Sequence, residues 1–133
     1  SEGALRADGD ILLRSVIIEK NNTINGNTIY LGGSEKHPKL INIELRNNFH
    51  NNWGKEIDVS SDFFTLDNSI ISNNNTDAEI IYLRSSVATI NNSVFAYNLD
   101  DNESQGGNTI LIYDWDSFVN IKNSIFWCVI FIG

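Results

Sequence analysis

Short runs of alternating apolar and polar residues recur along the chain and are separated by polar corners. In the triplets Ile29–Leu31, Ile57–Val59 and Ile81–Leu83 the outer residues point to one side of a strand and the middle residue to the other. The corners are rich in Asn, Asp, Ser and Gly, which favour turns. No stretch has the apolar spacing of a helix. The pattern therefore predicts an all-β chain of many short strands.

The pattern also repeats. Residues 57–71 align without a gap with residues 81–95, and the unit Asn-Ser-apolar-apolar occurs three times. Two columns of apolar residues follow the same rhythm. The first column is Ile18, Leu45, Ile71, Phe95 and Phe126; the second is Leu5, Ile29, Ile57, Ile81 and Ile110. The steps in both columns lie between 24 and 31 residues, so five repeating units cover nearly the whole chain.

A period of this length, with two or three short strands per unit, is typical of one coil of a parallel β-helix. A leucine-rich repeat has a similar period, but its leucine spacing and helical return segment are missing. An antiparallel sandwich would explain the alternation but not the ungapped self-match. We therefore predict a single domain over residues 1–133, a parallel β-solenoid of about five turns.

Three stretches carry a resemblance to a known superfamily: residues 3–10, 68–75 and 92–98. They resemble the right-handed parallel β-helix repeats of the pectate-lyase-like superfamily, and the resemblance extends over residues 3–127. It implies a right-handed coil. It is much less informative about activity, because such repeats occur in polysaccharide lyases, glycoside hydrolases, surface adhesins and proteins with no assigned activity.

Composition narrows the possible partners. Seventeen acidic against nine basic residues give a net charge of −8, which disfavours binding to nucleic acid. The single cysteine, Cys128, has no partner for an intramolecular disulfide. The longest apolar run, residues 125–132, is too short to span a bilayer as a helix. No nucleic-acid partner and no membrane span are therefore expected.

Like residues are expected to stack in columns inside the solenoid. One aliphatic ladder contains Ile29, Ile57, Ile81 and Ile110, and another contains Leu66, Ile90 and Ile121. Corner asparagines are expected to bond to their equivalents one turn away, as in stacked amide ladders. The predicted members of that ladder are Asn47, Asn73 and Asn98.

Solenoid ends expose open sheet edges and an uncovered core, and natural solenoids close them with polar caps. No cap is recognisable at either end of this sequence, and residues 125–132 are too apolar to face water. We therefore expect a segment of a longer β-helix with flanking turns, or a homo-oligomer that assembles end to end. The candidate interface residues are Trp127, Val129 and Phe131.

The outward positions of the first strand in each unit form a column of Arg6, Tyr30, Asp58, Tyr82 and Leu111, and Arg84, Tyr113 and Trp115 lie just beyond the strand ends. Sugars stack their C–H faces on aromatic rings and offer hydroxyls to charged groups. The candidate ligand-binding residues are Tyr30, Asp58, Tyr82, Arg84, Tyr113 and Trp115, with a polysaccharide as the expected partner. Alternatively, these tyrosines simply favour a strand surface.

No complete catalytic constellation is found. Hydrolases of the resembled superfamily pair carboxylates from adjacent turns. Here the pair Asp100-Asp101 occurs without the other sequence motifs of those hydrolases, and we expect both residues to be solvated surface acids. His37 and His50 lie in loop-like segments and are expected at the surface.

The lyases of the superfamily use an Arg or Lys base beside a calcium ion held by several carboxylates. Arg84 has too few acidic neighbours for that site: Asp58 one turn before it, and Asp114 or Asp116 one turn after. Residues 8–10 and 100–103 could hold calcium loosely, but no metal ligands are assigned and no cofactor is expected.

The expected function is a non-catalytic, secreted or cell-surface β-helix scaffold that binds carbohydrate through its Tyr and Trp face. Two alternatives remain open. One is a fragment of a polysaccharide lyase or glycoside hydrolase acting on an acidic glycan. The other is a self-assembling structural protein. The location follows from the resemblance and from the acidic, Asn-rich composition.

Overall fold

The structure is a computed structural model that describes residues 3–76, 78–100, 109–114 and 116–127. Within these ranges it has nineteen short strands and no helix. In chain order the strands are β1 (Leu5–Asp8), β2 (Leu12–Arg14), β3 (Ile17–Glu19) and β4 (Asn22–Ile24); β5 (Ile29–Gly33), β6 (Lys39–Ile41), β7 (Glu44–Arg46) and β8 (Phe49–Asn51); β9 (Ile57–Ser61), β10 (Phe63–Asp67), β11 (Ile70–Ser72) and β12 (Asn75–Thr76); β13 (Ile81–Leu83), β14 (Val87–Asn91), β15 (Val94–Ala96) and β16 (Leu99–Asp100); then β17 (Ile110–Ile112), β18 (Phe118–Lys122) and β19 (Ile125–Trp127).

The strands form four parallel sheets that the chain visits in turn. The first sheet has the order β1-β5-β9-β13-β17, the second β2-β6-β10-β14-β18, the third β3-β7-β11-β15-β19 and the fourth β4-β8-β12-β16. Every paired strand is parallel to its neighbour, and each strand of the second and third coils pairs with its equivalents in the coils before and after. The predicted parallel β-solenoid is therefore confirmed.

Among the described residues, each of the first four coils has four strands rather than the two or three expected. The strands of the fourth sheet are only two or three residues long, too short to show an alternating pattern in the sequence. The three inner coils, β5 to β16, each have a coil on both sides. About three turns are therefore complete and covered, whereas about five were expected.

Both predicted apolar columns lie in register. The first runs through the third sheet, from Ile18 to Phe126, and the second runs through the first sheet, from Leu5 to Ile110. The inward members of the inner coils are fully buried. Phe95 stacks on Phe126 with ring centroids 4.6 Å apart. Stacking of like residues thus produces a continuous core.

The recurring Asn-Ser pair forms the corner between the second and third sheets. Asn68 and Asn92 adopt left-handed conformations, with φ of 49° at both, which asparagine tolerates better than most residues. The serine that follows turns inward. Ser69 Oγ donates to the carbonyl of Asp67 at 2.8 Å and accepts the N–H of Ile43 at 3.2 Å. The same pattern recurs at Ser93, so the motif satisfies the backbone at each corner.

A buried asparagine ladder is present, but two of its predicted members are wrong. Asn47 and Asn73 are exposed corner residues with φ of 55°, and the next residue in each case turns inward. The ladder contains Asn21, Asn48, Asn74 and Asn98. Asn98 was predicted correctly. The shift has a physical cause, because a left-handed residue at the corner redirects the chain so that its successor faces the core.

Candidate functional site

The outward column of the first sheet has the register that the sequence predicted. Arg6 pairs with Tyr30, Tyr30 with Asp58, and Asp58 with Tyr82. Arg84 and Tyr113 follow the ends of β13 and β17. We call the surface formed by Tyr30, Asp58, Tyr82, Arg84 and Tyr113 the tyrosine face. The sixth candidate, Trp115, lies outside the described residues.

A salt bridge between Arg84 and Asp58 lies at the centre of the tyrosine face. Arg84 Nη2 donates to Asp58 Oδ1 at 2.8 Å and to Oδ2 at 2.9 Å. Asn27 Nδ2 also donates to Oδ2, at 2.9 Å. The Asp58 side chain is only 9% exposed, whereas that of Arg84 is 38% exposed. The carboxylate is therefore enclosed, and the guanidinium remains within reach of a ligand.

The electrostatics of Arg84 do not suit a general base. Partial burial acts to lower its pKa, but the hydrogen bonds and charge of Asp58 outweigh burial and raise the pKa above its ordinary value. A base must release its proton near the working pH, which the Asp58 carboxylate opposes. The arrangement favours a fixed hydrogen-bond donor.

Tyr82 is packed between charged and aromatic neighbours. Lys55 Nζ lies 4.9 Å and Arg84 Cζ 5.4 Å from the centroid of its ring. The Tyr113 ring is tilted against it at a centroid distance of 5.5 Å. Burial raises the pKa of Tyr82, and Tyr113 raises it further, although Arg84 acts in the opposite direction. Tyr82 therefore keeps its phenol proton at neutral pH.

The ring of Tyr30 is also covered by a cation. Arg6 Cζ lies 4.5 Å from the ring centroid, and Arg6 Nε lies 3.2 Å from Asp8 Oδ2. The ring extends over Gly32, where a Cβ atom would come within 2.9 Å of the phenol oxygen. A side chain at position 32 would therefore displace the ring. In contrast, Tyr113 is 65% exposed.

Three neighbours of the tyrosine face were missed in the sequence: Asn27, Lys55 and Glu79. Lys55 Nζ lies 3.8 Å from Glu79 Oε2, and the Lys55 backbone N–H donates to Asn27 Oδ1 at 3.0 Å. Each of the three precedes the buried isoleucine of its coil by two positions. The register of the second apolar column could therefore have placed them together at one corner.

The expectation that both histidines lie at the surface is wrong for His50. It lies in β8 and is 1% exposed. Its Nε2 atom is 2.8 Å from Glu56 Oε2, and Nδ1 is 2.7 Å from Thr23 Oγ1. Asn48 Nδ2 donates to Glu56 Oε1 at 2.7 Å. The network satisfies buried polar groups inside the solenoid and presents no base to the outside.

His37 is exposed, as expected. Its Nε2 atom lies 2.8 Å from Thr65 Oγ1 on the second sheet.

The candidate interface residue Trp127 lies on the flank of the last coil. It pairs with Ala96 in the outward column of the third sheet and is 60% exposed. Ile125 in the same strand is 56% exposed. The other two candidates, Val129 and Phe131, lie outside the described residues.

The acidic segments considered for calcium are partly engaged by the protein. Asp8 contacts Arg6, and Asp10 Oδ1 accepts the backbone N–H of His37 at 2.7 Å. Residues 101–103 and the Asp100 side chain lie outside the part of the chain that the structure describes. In the part of the chain that the structure describes, no group of three or more His, Cys, Asp or Glu residues is arranged to hold a metal ion.

A shallow groove of about 280 Å³ lies elsewhere, at the corner between the second and third sheets. Ile17, Asn42, Glu44 and Ile70 are among its lining residues, none of which is aromatic. Its single carboxylate, Glu44, is bound by Arg46 at 2.7 Å. The groove therefore lacks the aromatic ring on which a sugar would stack.

No helix among the described residues is long and apolar enough to cross a membrane. No protein-family model matches the chain, and neither a curated protein nor a solved structure matches it.

Proposed function

We propose that the chain is a non-catalytic β-solenoid scaffold that binds carbohydrate through its tyrosine face. The observation that carries the proposal is the group formed by Tyr113, Tyr82 and Arg84. The exposed ring of Tyr113 contacts the ring of Tyr82 at a centroid distance of 5.5 Å. Beside them, the Arg84 guanidinium makes two hydrogen bonds to Asp58. A sugar needs both elements, a ring for its C–H face and fixed polar groups for its hydroxyls.

The scaffold suits this use because the parallel sheets hold neighbouring side chains at a fixed spacing. Adjacent strands lie about 4.8 Å apart, so residues on consecutive coils form a regular surface. Tyr82 and its neighbours come from coils that are themselves hydrogen-bonded to each other. Little ordering is then required on binding, which favours affinity.

The proposal includes membership of the right-handed pectate-lyase-like β-helices and an extracellular or cell-surface location. It is supported by the stacked parallel sheets, by the Asn-rich corners and by the acidic composition. Two hydrogen bonds from Asp58 hold Arg84 as a charged donor, which favours binding over proton abstraction by this residue.

The test is glycan binding by the purified chain, followed by calorimetry on any ligand found. We expect Tyr113→Ala to weaken binding by about tenfold, because the open stacking surface is lost. Tyr97→Asn is the matched control. Tyr97 is exposed on another face and occupies the left-handed corner position that Asn47 and Asn73 occupy in earlier coils. Unchanged binding by Tyr113→Ala would contradict the proposal.

A second function, self-association, is favoured by one observation. Phe118, Ile125 and Trp127 in the last coil are between 56% and 62% exposed. Sedimentation across a concentration series should show a dimer or larger species that Trp127→Ser weakens. A monomer at every concentration would exclude this function.

A further inference from the structure

The charges on the tyrosine face indicate which class of carbohydrate it would take. We infer that the face selects neutral saccharides over uronate-containing ones, an inference that rests on the proposed function. Among the residues that the structure describes, three cationic side chains lie on or beside the face: Arg6, Lys55 and Arg84. A uronate carboxylate would need at least one of them as its partner.

Each of these cations already has a carboxylate partner. Arg84 is bound by Asp58 at 2.8 and 2.9 Å, Arg6 by Asp8 at 3.2 Å, and Lys55 lies 3.8 Å from Glu79. The Lys55 and Glu79 side chains are only 16% and 17% exposed, so water screens their attraction less than at the open surface. The charge of each cation is therefore already balanced by a neighbouring carboxylate, so an incoming uronate carboxylate would gain little net attraction.

The surroundings add further repulsion. Asp114 follows Tyr113 directly and accepts a hydrogen bond from Ser85 Oγ at 3.0 Å. The chain as a whole carries a net charge of −8. Like charge lowers the local concentration of an anionic polymer and slows its association. A neutral sugar does not need an unpaired cation and is not repelled by this negative charge.

The aromatic rings give the position of the sugar. Cations lie over the rings of Tyr30 and Tyr82, whereas Tyr113 is 65% exposed. Tyr113 is therefore the stacking platform. Both hydrogen bonds to Asp58 come from Nη2 of Arg84, so this guanidinium still has N–H donors for a hydroxyl group. Salt should have little effect on such binding, because no net charge is neutralised.

The experiment is calorimetry of the whole chain with two sets of hexasaccharides, at low and high salt. One set contains neutral sugars, namely glucose, galactose, mannose and xylose oligomers; the other contains galacturonate and mannuronate oligomers. We expect a neutral hexasaccharide to bind, with little salt dependence, and at least about tenfold more tightly than any uronate. Tyr113→Ala should weaken this binding by about tenfold, and Tyr97→Asn should leave it unchanged.

A charge variant tests the cause of the selectivity. Glu79→Gln removes the carboxylate partner of Lys55 and should increase uronate affinity by about tenfold or more at low salt. Glu19→Gln is the matched control, because Glu19 is paired with Arg46 at 2.7 Å on the third sheet and carries the same charge. It should leave uronate binding unchanged.

The outcomes separate the two claims. Uronate binding that matches or exceeds neutral binding, and is weakened in Tyr113→Ala, would overturn the neutral selectivity and leave the proposed function intact. Equal gains in uronate affinity for Glu79→Gln and Glu19→Gln would overturn the role of the local pairs. Binding by no member of either set would overturn the proposed function together with the inference.

Discussion

The buried asparagine ladder should contribute far more to stability than the exposed corner asparagines. Asn74 is fully buried, and its Oδ1 accepts the backbone N–H of Asn48 at 3.0 Å while its Nδ2 donates to the carbonyl of Leu45 at 3.1 Å. Its Nδ2 also donates to Asn98 Oδ1 at 3.1 Å, so Asn74→Ala removes three hydrogen bonds. Asn68 is exposed at a corner, where its Nδ2 makes a longer bond of 3.3 Å to Asn42.

The magnitude follows from the groups left without partners. An orphaned buried N–H costs about 1–3 kcal/mol, and each lost hydrogen bond costs about 1 kcal/mol. Asn74→Ala orphans the Asn48 N–H and loses two further hydrogen bonds, so it should destabilise the fold by about 3–5 kcal/mol. Asn68→Gly, in which glycine accepts the left-handed backbone, should cost less than about 1 kcal/mol.

Urea unfolding followed by circular dichroism measures both values by linear extrapolation. If Asn74→Ala does not fold, Asn21→Ala provides a milder test at the partly buried end of the ladder. That variant loses the amide donor to Asn48 Oδ1 but keeps the backbone N–H that binds the same atom, so it should cost about 1 kcal/mol. An Asn74→Ala variant as stable as Asn68→Gly would refute the ladder's role.

Three further outcomes are expected. Phe95→Ala should destabilise the chain by about 3–5 kcal/mol in urea unfolding, because the ring is fully buried. Phe118→Ala, at a 62% exposed position, should cost little, and equal effects of the two substitutions would contradict the assigned register. The hydrogen bond from Arg46 lowers the pKa of Glu19. This pair therefore stabilises the fold above the unfolded-state pKa of Glu19, and the stabilisation is lost as pH falls through the folded-state pKa. An NMR titration should show the lowered pKa of Glu19, and Arg46→Gln should remove the lowering. Because burial raises the pKa of Tyr82, an absorbance titration should show one phenol that ionises late, and this late ionisation should be absent in Tyr82→Phe. The stability of the fold should also fall as pH rises through that pKa. A normal titration of every tyrosine would contradict the packing around this ring.

The repeat made most of the fold predictable. Stacked coils impose a fixed register, so the ungapped match of residues 57–71 with 81–95 was enough to place Ile57 against Ile81 and Asp58 against Tyr82. The outward column of the tyrosine face followed from the same alignment. Fold and surface positions were accessible because they depend on periodicity.

Features that depend on single dihedral angles or on the reach of a side chain could not be predicted from the sequence. Asn47 and Asn48 are adjacent and chemically identical, and only the left-handed φ of Asn47 decides which one enters the core. His50 pairs with Thr23, a polar residue, so its inward position left no apolar signal. The register could have placed Glu79 at the same corner as Lys55, but only side-chain geometry shows that their charged groups approach within 4 Å.

The most direct test of the central claim is an NMR titration of the isotope-labelled chain with a neutral hexasaccharide. The tyrosine face predicts shifts concentrated at the backbone amides of Tyr82, Arg84 and Tyr113, with the second and third sheets unaffected. Saturable shifts confined to the groove at Asn42 and Ile70, or no shifts with any hexasaccharide, would contradict it.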